Sequence, residues 1–112
     1  MKTANRDAAR LLQELANIYR RAGQTERALV LLLLANQIQP GNPTLLRHLA
    51  LAFTAVGDGE RALAALDALV ALQGPAPGLL LLRSRALLQA GRRDEARQLF
   101  RRYIAERGGS AR

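Results

Sequence analysis

Cysteine and tryptophan are absent from this sequence of 112 residues, and histidine occurs once. Without cysteine, the chain forms neither a disulfide framework nor a thiolate metal site. Because His48 is the only histidine, no histidine pair or triad can be assembled, and we interpret it as a surface or groove residue. Neither a GxGxxG motif nor a P-loop occurs. The sequence therefore predicts no catalytic residue, no metal site, no cofactor and no enzymatic activity.

Aromatic residues and long apolar runs are also scarce. Two tyrosines and two phenylalanines leave the core to aliphatic side chains, while an apolar content of 49% excludes a disordered chain. The longest apolar run, residues 28–35, is far too short to span a bilayer. The N-terminal residues contain no apolar segment of the kind found in signal peptides. We expect a cytoplasmic protein that does not insert into a membrane.

Acidic residues are few: 9 against 17 basic ones, which gives a formal net charge of +8. Lys2 is the only lysine, so the excess is one of arginine, a bias that genome composition can also produce. Such an excess attracts acidic protein surfaces or nucleic acid, and it is equally compatible with a solvated basic surface. The arginines form no long basic run, and few aromatics are available for base stacking. We favour an acidic protein partner or a solvated surface over nucleic acid.

A repeat of 34 residues organises the chain. Residues 57–63 read GDGERAL, residues 23–29 read GQTERAL and residues 91–97 read GRRDEAR. A glycine, a short polar link, an acidic residue and an alanine thus recur in phase. A fixed period in this range indicates a solenoid, and this one is the tetratricopeptide repeat (TPR) period. We predict an all-α fold, a right-handed α-solenoid of three helical hairpins with a concave groove.

The expected domain covers residues 7–107, with repeats at about 9–42, 43–76 and 77–108. Residues 1–6 are predicted to form an N-terminal tail and residues 108–112 a flexible C-terminal tail. The predicted N-cap residues are Asp7, Asn42 and Asp58. The sixth helix is expected to run from about Arg93 to Glu106. Equivalent turns are predicted at Gly23, Gly57 and Gly91.

The repeat positions resemble those of the TPR family over nearly the whole chain. Two positions hold small residues throughout: Ala16, Ala50 and Ser84 in the first helix of each hairpin, and Ala28, Ala62 and Ala96 in the second. A large residue follows in the second helix at Leu32, Leu66 and Phe100. Small residues let paired helices approach, and large ones fill the layer between them.

In TPR proteins the first helix of each hairpin lines the concave groove. That resemblance places the following candidate partner-binding residues there: Arg10, Gln13, Asn17, Arg20, Thr44, Arg47, Leu51, Thr54, Leu81, Arg85 and Leu88. Leucines among arginines suit an amphipathic or extended segment that carries acidic residues. Some TPR domains hold a C-terminal carboxylate with a clamp of Lys, Asn and Arg. Only Asn17 matches that clamp here, so we reject a carboxylate-clamp function.

The second helix of the first repeat is apolar all round over residues 29–34. Its outward positions hold Val30, Leu33 and Leu34, whereas the last repeat has glutamine and arginines there. A helix that is apolar on every side is expected to be covered on more than one side. We predict that this convex patch binds a partner or mediates self-association, in preference to being covered by the N-terminal tail.

The chain as a whole resembles the YscY-like type III secretion chaperones in length, three-repeat layout and closing segment. That segment reads SRALLQAG at residues 84–91, then DEAR at 94–97 and YI at 103–104. The resemblance implies a cytoplasmic chaperone that forms a heterodimer with a small secreted export component of the YscX type. It further implies that the pair engages the cytoplasmic domain of the inner-membrane export gate.

Two other classes stay open. One is a generic TPR adaptor or assembly factor that binds another peptide or protein, and the other is a nucleic-acid-binding helical repeat. A secretion operon beside the gene would favour the chaperone over the adaptor. Salt-dependent binding to nonspecific DNA would favour the nucleic-acid-binding class. Length and positive net charge argue against the longer, acidic translocator chaperones of the same secretion systems.

Overall fold

The computed structural model of this protein describes residues 2–110, which form six helices: α1 (Lys2–Arg21), α2 (Thr25–Ile38), α3 (Pro43–Ala55), α4 (Gly59–Gln73), α5 (Pro77–Gln89) and α6 (Arg93–Ser110). This part of the chain contains no strand. The helices pair as three hairpins, α1 with α2, α3 with α4 and α5 with α6. The hairpins stack through α2 on α3 and α4 on α5, which gives an elongated body of 45 × 26 × 22 Å. The predicted solenoid of three hairpins is confirmed.

Each hairpin turns at a glycine in the left-handed conformation. Gly23, Gly57 and Gly91 have φ values of 79°, 87° and 79°. In every turn the glycine N–H donates to the carbonyl three residues back, at 3.0–3.1 Å, and the following N–H donates to the carbonyl five back, at 2.8 Å. This Schellman arrangement satisfies the last carbonyls of the helix, and glycine adopts it without steric cost. The three turns are equivalent, as predicted.

The starts of α3 and α4 are capped by side chains. Asn42 Oδ1 accepts the N–H of Leu45 at 3.2 Å, and Asp58 Oδ1 accepts the N–H of Arg61 at 3.2 Å. Both N-caps were predicted from the sequence. By contrast, α2 and α5 begin without a side-chain cap. Glu26 in the first turn of α2 complements the helix dipole, and proline at the start of α5 lacks the N–H that a cap would satisfy.

The first and last helices are longer than predicted. Because α1 begins at Lys2, Asp7 lies inside the helix rather than capping it, and residues 2–6 are helical rather than a tail. This segment contains no glycine or proline, and the prediction missed it because the apolar spacing begins only at Ala8. The last helix continues beyond Glu106 to Ser110, so Gly108 lies within it despite the low helix propensity of glycine. Met1 and residues 111–112 of the predicted tails lie outside the described residues.

The small residues of the repeat lie at the helix crossings, as predicted. All of them are buried: Ala16, Ala28, Ala50, Ala62, Ser84 and Ala96. The hydroxyl of Ser84 donates to the Ala96 carbonyl at 2.9 Å, which satisfies the one polar member of this set and ties α5 to α6. The large position differs between repeats: Leu32 and Leu66 are 5% and 1% exposed, but Phe100 is 45% exposed. No helix of the described chain covers Phe100.

The junction between the second and third hairpins is close. A Cβ on Gly59 would lie within 2.8 Å of Ala90 Cα and closer still to Ala86 O and Ala90 N. An ion pair also crosses this junction, from Arg83 Nη2 on α5 to Asp67 Oδ1 on α4 at 2.8 Å. Among the six helices, none combines the length and the apolar content needed to cross a bilayer.

Candidate functional site

A groove runs between α1 and α3, with α2 contributing to one part of it. Two adjoining depressions, of about 460 and 450 Å³, both involve Gln13, Asn17 and His48. Because they share these side chains, the two depressions form one continuous surface, which we name the α1–α3 groove. The first helices of neighbouring hairpins thus supply its walls.

One half of the α1–α3 groove is polar. Its lining residues are Arg6, Arg10, Gln13, Glu14, Asn17, Gln39, Asn42, Thr44 and His48. Asn42, which caps α3, also donates from Nδ2 to Gln39 Oε1 at 3.3 Å. Two arginines face a single carboxylate here, so this half offers more positive charge than negative charge to a ligand.

The other half of the α1–α3 groove has an apolar floor and a polar rim. The floor consists of Ala16, Ala28, Leu32, Leu51, Ala52 and Ala55. The rim includes Asn17 and Arg20, whose side chains are joined by a hydrogen bond from Arg20 Nη2 to Asn17 Oδ1 at 2.7 Å. This contact orients the guanidinium one turn along α1 from the polar half. The groove therefore has a basic end, at Arg6 and Arg10, and an apolar floor with Arg20 at its rim.

His48 lies where the two halves meet. Burial of the imidazole lowers its pKa below the ordinary value of 6.5, and the positive charges of Arg20 and Arg47 lower it further. A histidine with a lowered pKa is neutral at neutral pH and has one nitrogen that accepts a hydrogen bond and one that donates. All three causes of this shift act in the same direction, against the protonated form of His48.

The structure brings together only part of the predicted groove set. Six of its members line the α1–α3 groove: Arg10, Gln13, Asn17, Arg20, Thr44 and Leu51. Arg47 is exposed beside it and acts on His48 electrostatically. Thr54 lines neither depression, and its hydroxyl donates to the Ala50 carbonyl within α3 at 2.7 Å.

The three members from the last repeat, Leu81, Arg85 and Leu88, line a separate depression of about 420 Å³ between α5 and α6. Its other lining residues are Ser84, Arg93, Ala96, Arg97 and Phe100. We name this surface the α5–α6 face. It presents leucines and a phenylalanine within a rim of three arginines, at the opposite end of the stack from α1.

The convex patch on α2 is exposed. Val30 is 64% exposed, and Leu33 and Leu34 are exposed to a smaller extent. The inward side of the same helix, with Ala28, Leu32 and Ala35, is buried. The roles proposed for the groove and for the α2 patch stay predictions.

Sequence reasoning missed several residues of the α1–α3 groove. Arg6 was assigned to a tail, and Glu14, Gln39 and Thr25 carry no motif. The signal that finds Arg6 is helical spacing, since Arg6, Arg10, Gln13 and Asn17 follow one another at intervals of three or four residues. Within residues 2–110 no group of three acidic or histidine side chains is placed to hold a metal ion.

Two models of the tetratricopeptide repeat match the sequence, one over residues 9–52 and the other over residues 53–112. The chain belongs to the tetratricopeptide repeat family. TPR hairpins are scaffolds for protein interaction. Among curated protein sequences, no match is found.

Solved TPR structures share the fold at low sequence identity. The first TPR of Spaghetti (RPAP3) bound to the HSP90 peptide SRMEEVD is 22% identical, with a TM-score of 0.74 over 88% of this chain and 79% of that one. The second TPR of the same protein, bound to the same peptide, is 21% identical, with a TM-score of 0.74 over 92% and 97% of the two chains. MamA AMB-1 is 19% identical with a TM-score of 0.75, and the match covers 92% of this chain and 56% of that one. These likenesses show the fold.

Proposed function

We propose that this chain is a non-catalytic binding protein that holds a segment of a partner in the α1–α3 groove. The observation that carries the proposal is the groove's division into a basic end and an apolar floor. A segment with acidic residues on one side and apolar residues on the other complements both halves. Charge-assisted contacts with Arg10 and Arg20 supply direction and specificity, while the floor supplies apolar contact area.

The TPRs of RPAP3, which share this fold, bind an HSP90 peptide with acidic residues near its end. The clamp positions of this chain hold Gln13, Asn17, His48, Gly78 and Leu82, of which only Asn17 matches the clamp. We therefore expect acidic side chains of the ligand, rather than its terminal carboxylate, to meet the arginines. The peptide SRMEEVD and its C-terminal amide should then bind with equal affinity.

The partner we propose is a small secreted export component of the YscX type. In this proposal the chain is its cytoplasmic chaperone in a type III secretion system and presents it to the export gate. Support comes from the resemblance of residues 84–104 to YscY-like chaperones and from the three-hairpin layout. The exposed α2 patch, Val30, Leu33 and Leu34, gives such a partner a second contact on the convex side.

Capture of a co-expressed small protein from the same operon tests the proposal. The variant Arg10→Glu/Arg20→Glu should weaken capture and leave the helical CD spectrum intact. A matched control, Arg27→Glu/Arg107→Glu, changes the net charge equally at exposed positions away from the groove. Equal capture by the groove variant and its control would show that the partner does not bind in the α1–α3 groove. Failure to capture any co-encoded small protein would overturn the chaperone role, while SRMEEVD titration tests the groove separately.

A further inference from the structure

The two ends of the hairpin stack expose the two kinds of surface that pack together wherever neighbouring hairpins meet within this chain. At one end, α1 carries a second apolar stripe on a side that does not face α2. Its members are Leu11, Leu15 and Ile18, and we name it the α1 outer stripe. Leu11 and Ile18 are 58% and 62% exposed. No other element described between residues 2 and 110 covers this stripe.

The repeat period shows how the other hairpins use this position. The equivalents of the α1 outer stripe in α3 are Leu45, Leu49 and Ala52, and all three are buried. Ala52 lines the same depression as Ala28 and Leu32 of the preceding hairpin. In α5 the equivalent Ala86 is fully buried and lies against Gly59 of the preceding hairpin. The first helix of a hairpin thus uses this side to join the hairpin before it.

The α5–α6 face is the other half of that contact. Its Ala96 and Phe100 are the repeat equivalents of Ala28 and Leu32, which lie opposite α3. Leu32 is buried because α3 covers this face of α1 and α2. Phe100 is exposed because no described helix covers the equivalent face of α5 and α6. The shape of this face is therefore one that accepts the first helix of a TPR hairpin.

Two carboxylates at the edge of the α1 outer stripe complement the arginines of the α5–α6 face, and Arg21 also lies at helical spacing from Ile18. Asp7 and Glu14 flank the α1 outer stripe at helical spacing, whereas Arg85, Arg93 and Arg97 line the α5–α6 face. His48 shares a depression with Gln13, Asn17 and Arg20, whose equivalents two repeats on are Leu81, Arg85 and Leu88. If α1 of a second copy continued the stack, its Glu14 would take the position that His48 has in α3, because the two residues are one repeat apart. That carboxylate would then stand beside the guanidinium of Arg85.

We propose that a second copy of this chain docks its α1 outer stripe on the α5–α6 face, so that copies join head to tail. Such an interface is heterologous and does not close on itself, so further copies extend the stack. The two copies lie farther apart than α4 and α5 do, because the α5–α6 face has Arg93 at the repeat position where α4 has Gly59. At the junction of α2 and α3 this repeat position holds Thr25, so that junction already accommodates a side chain at the position.

Complementation between two variants of the full chain tests this interface. A head variant, Leu11→Gln/Ile18→Gln, and a tail variant, Leu88→Gln/Phe100→Gln, remove apolar contacts without changing the net charge. The average mass of the wild type, measured by analytical ultracentrifugation, should rise with concentration beyond that of a dimer. Each variant alone should stay monomeric. An equimolar mixture should form a dimer and stop there, because only one intact head and one intact tail can meet.

Three results would overturn the proposal: a wild type that is monomeric at every concentration, a variant that associates like the wild type, or a mixture that stays monomeric. Val30→Gln is the control for the α2 patch and should associate like the wild type. Loss of association in that variant would assign self-association to the convex side and overturn the proposal equally. If CD shows that the tail variant is unfolded, Leu88→Gln alone takes its place, since Leu88 is exposed.

Discussion

At the scale of single residues, glycine performs two different tasks in this chain. At Gly57 it supplies a left-handed turn, whereas at Gly59, two residues later, it leaves room for the neighbouring hairpin. The second task is specific to one junction, since the equivalent residues are Thr25 and Arg93. The separation between the second and third hairpins therefore depends on the absence of one side chain.

Gly59→Ala should destabilise the protein by about 1–3 kcal/mol, because its Cβ would meet the backbone of α5 rather than a flexible side chain. Gly78→Ala is the matched control: it places a Cβ in open space within α5 and should be neutral or stabilise by up to about 1 kcal/mol. Urea denaturation followed by CD measures both variants. Equal stabilities would mean that α4 and α5 lie farther apart than described.

His48 reports on the electrostatics of the α1–α3 groove. Its pKa is lowered by burial first, and then by Arg20 and Arg47. The unfolded chain therefore takes up the proton more readily than the folded chain does. The stability that this histidine contributes is complete above the unfolded pKa of 6.5 and falls as the pH drops towards the lowered folded pKa.

An NMR titration should give His48 a pKa below 6.5 in the free protein. Arg47→Gln should raise that pKa, because it removes a neighbouring positive charge. An acidic ligand bound in the groove should raise it as well. The comparison variant is Arg27→Gln, whose charge does not contribute to the shift. If the pKa of His48 changes neither in Arg47→Gln nor on ligand binding, His48 is not part of the binding surface.

At the scale of elements, the sequence predicts the hairpins because each hairpin repeats the same stop and start. Three glycines in phase predict the turns. Asn42 and Asp58 are predictable as N-caps because their side-chain oxygens can accept a backbone N–H of the first turn. The start of α1 could not be predicted in this way. Residues 2–6 bury nothing, so no apolar period marks them as helical, and Asp7 resembles a cap without acting as one.

The functional surfaces were harder to predict than the hairpins. Leu11 and Leu15 have the spacing of a buried helix face, yet they are exposed, and the buried residues of α1 are Ala9 and Ala16 instead. Helical spacing identifies a stripe but not which neighbour covers it. The groove set was split for a similar reason: the 34-residue phase places Arg85 in register with Asn17, but the two lie in separate depressions.

The α2 patch tests whether exposed apolar residues on a helix belong to its fold. Val30→Glu/Leu33→Gln should leave the melting temperature nearly unchanged, because the inward residues Ala28 and Leu32 stay in place. It should also weaken capture of the co-expressed partner. Leu32→Gln is the contrasting variant and should destabilise strongly, since it buries a polar amide. Unfolding of the double variant would instead place Val30 and Leu33 in the intramolecular core.

At the scale of the whole molecule, charge acts differently on the two proposed interactions. The net charge of +8 attracts an acidic ligand to the α1–α3 groove, but it repels a second copy of the same chain. The head-to-tail contact depends on apolar side chains at its centre, with opposite charges only at its edge. Salt screens both effects, because the Debye length falls from about 30 Å at 0.01 M to about 10 Å at 0.1 M.

Raising the salt concentration should therefore weaken peptide binding without weakening head-to-tail association. Binding of a fluorescent SRMEEVD peptide, followed by anisotropy, should weaken, because its acidic side chains lose their attraction to Arg10 and Arg20. Arg10→Gln/Arg20→Gln should flatten that salt dependence, while Arg27→Gln/Arg107→Gln should flatten it less, since its charges are distant from the groove. Head-to-tail association, followed by sedimentation, should hold or strengthen, because screening lowers the repulsion between like-charged copies while the apolar contact persists. Association that weakens together with peptide binding would show that copies are joined by their charges rather than by Leu11, Ile18 and Phe100.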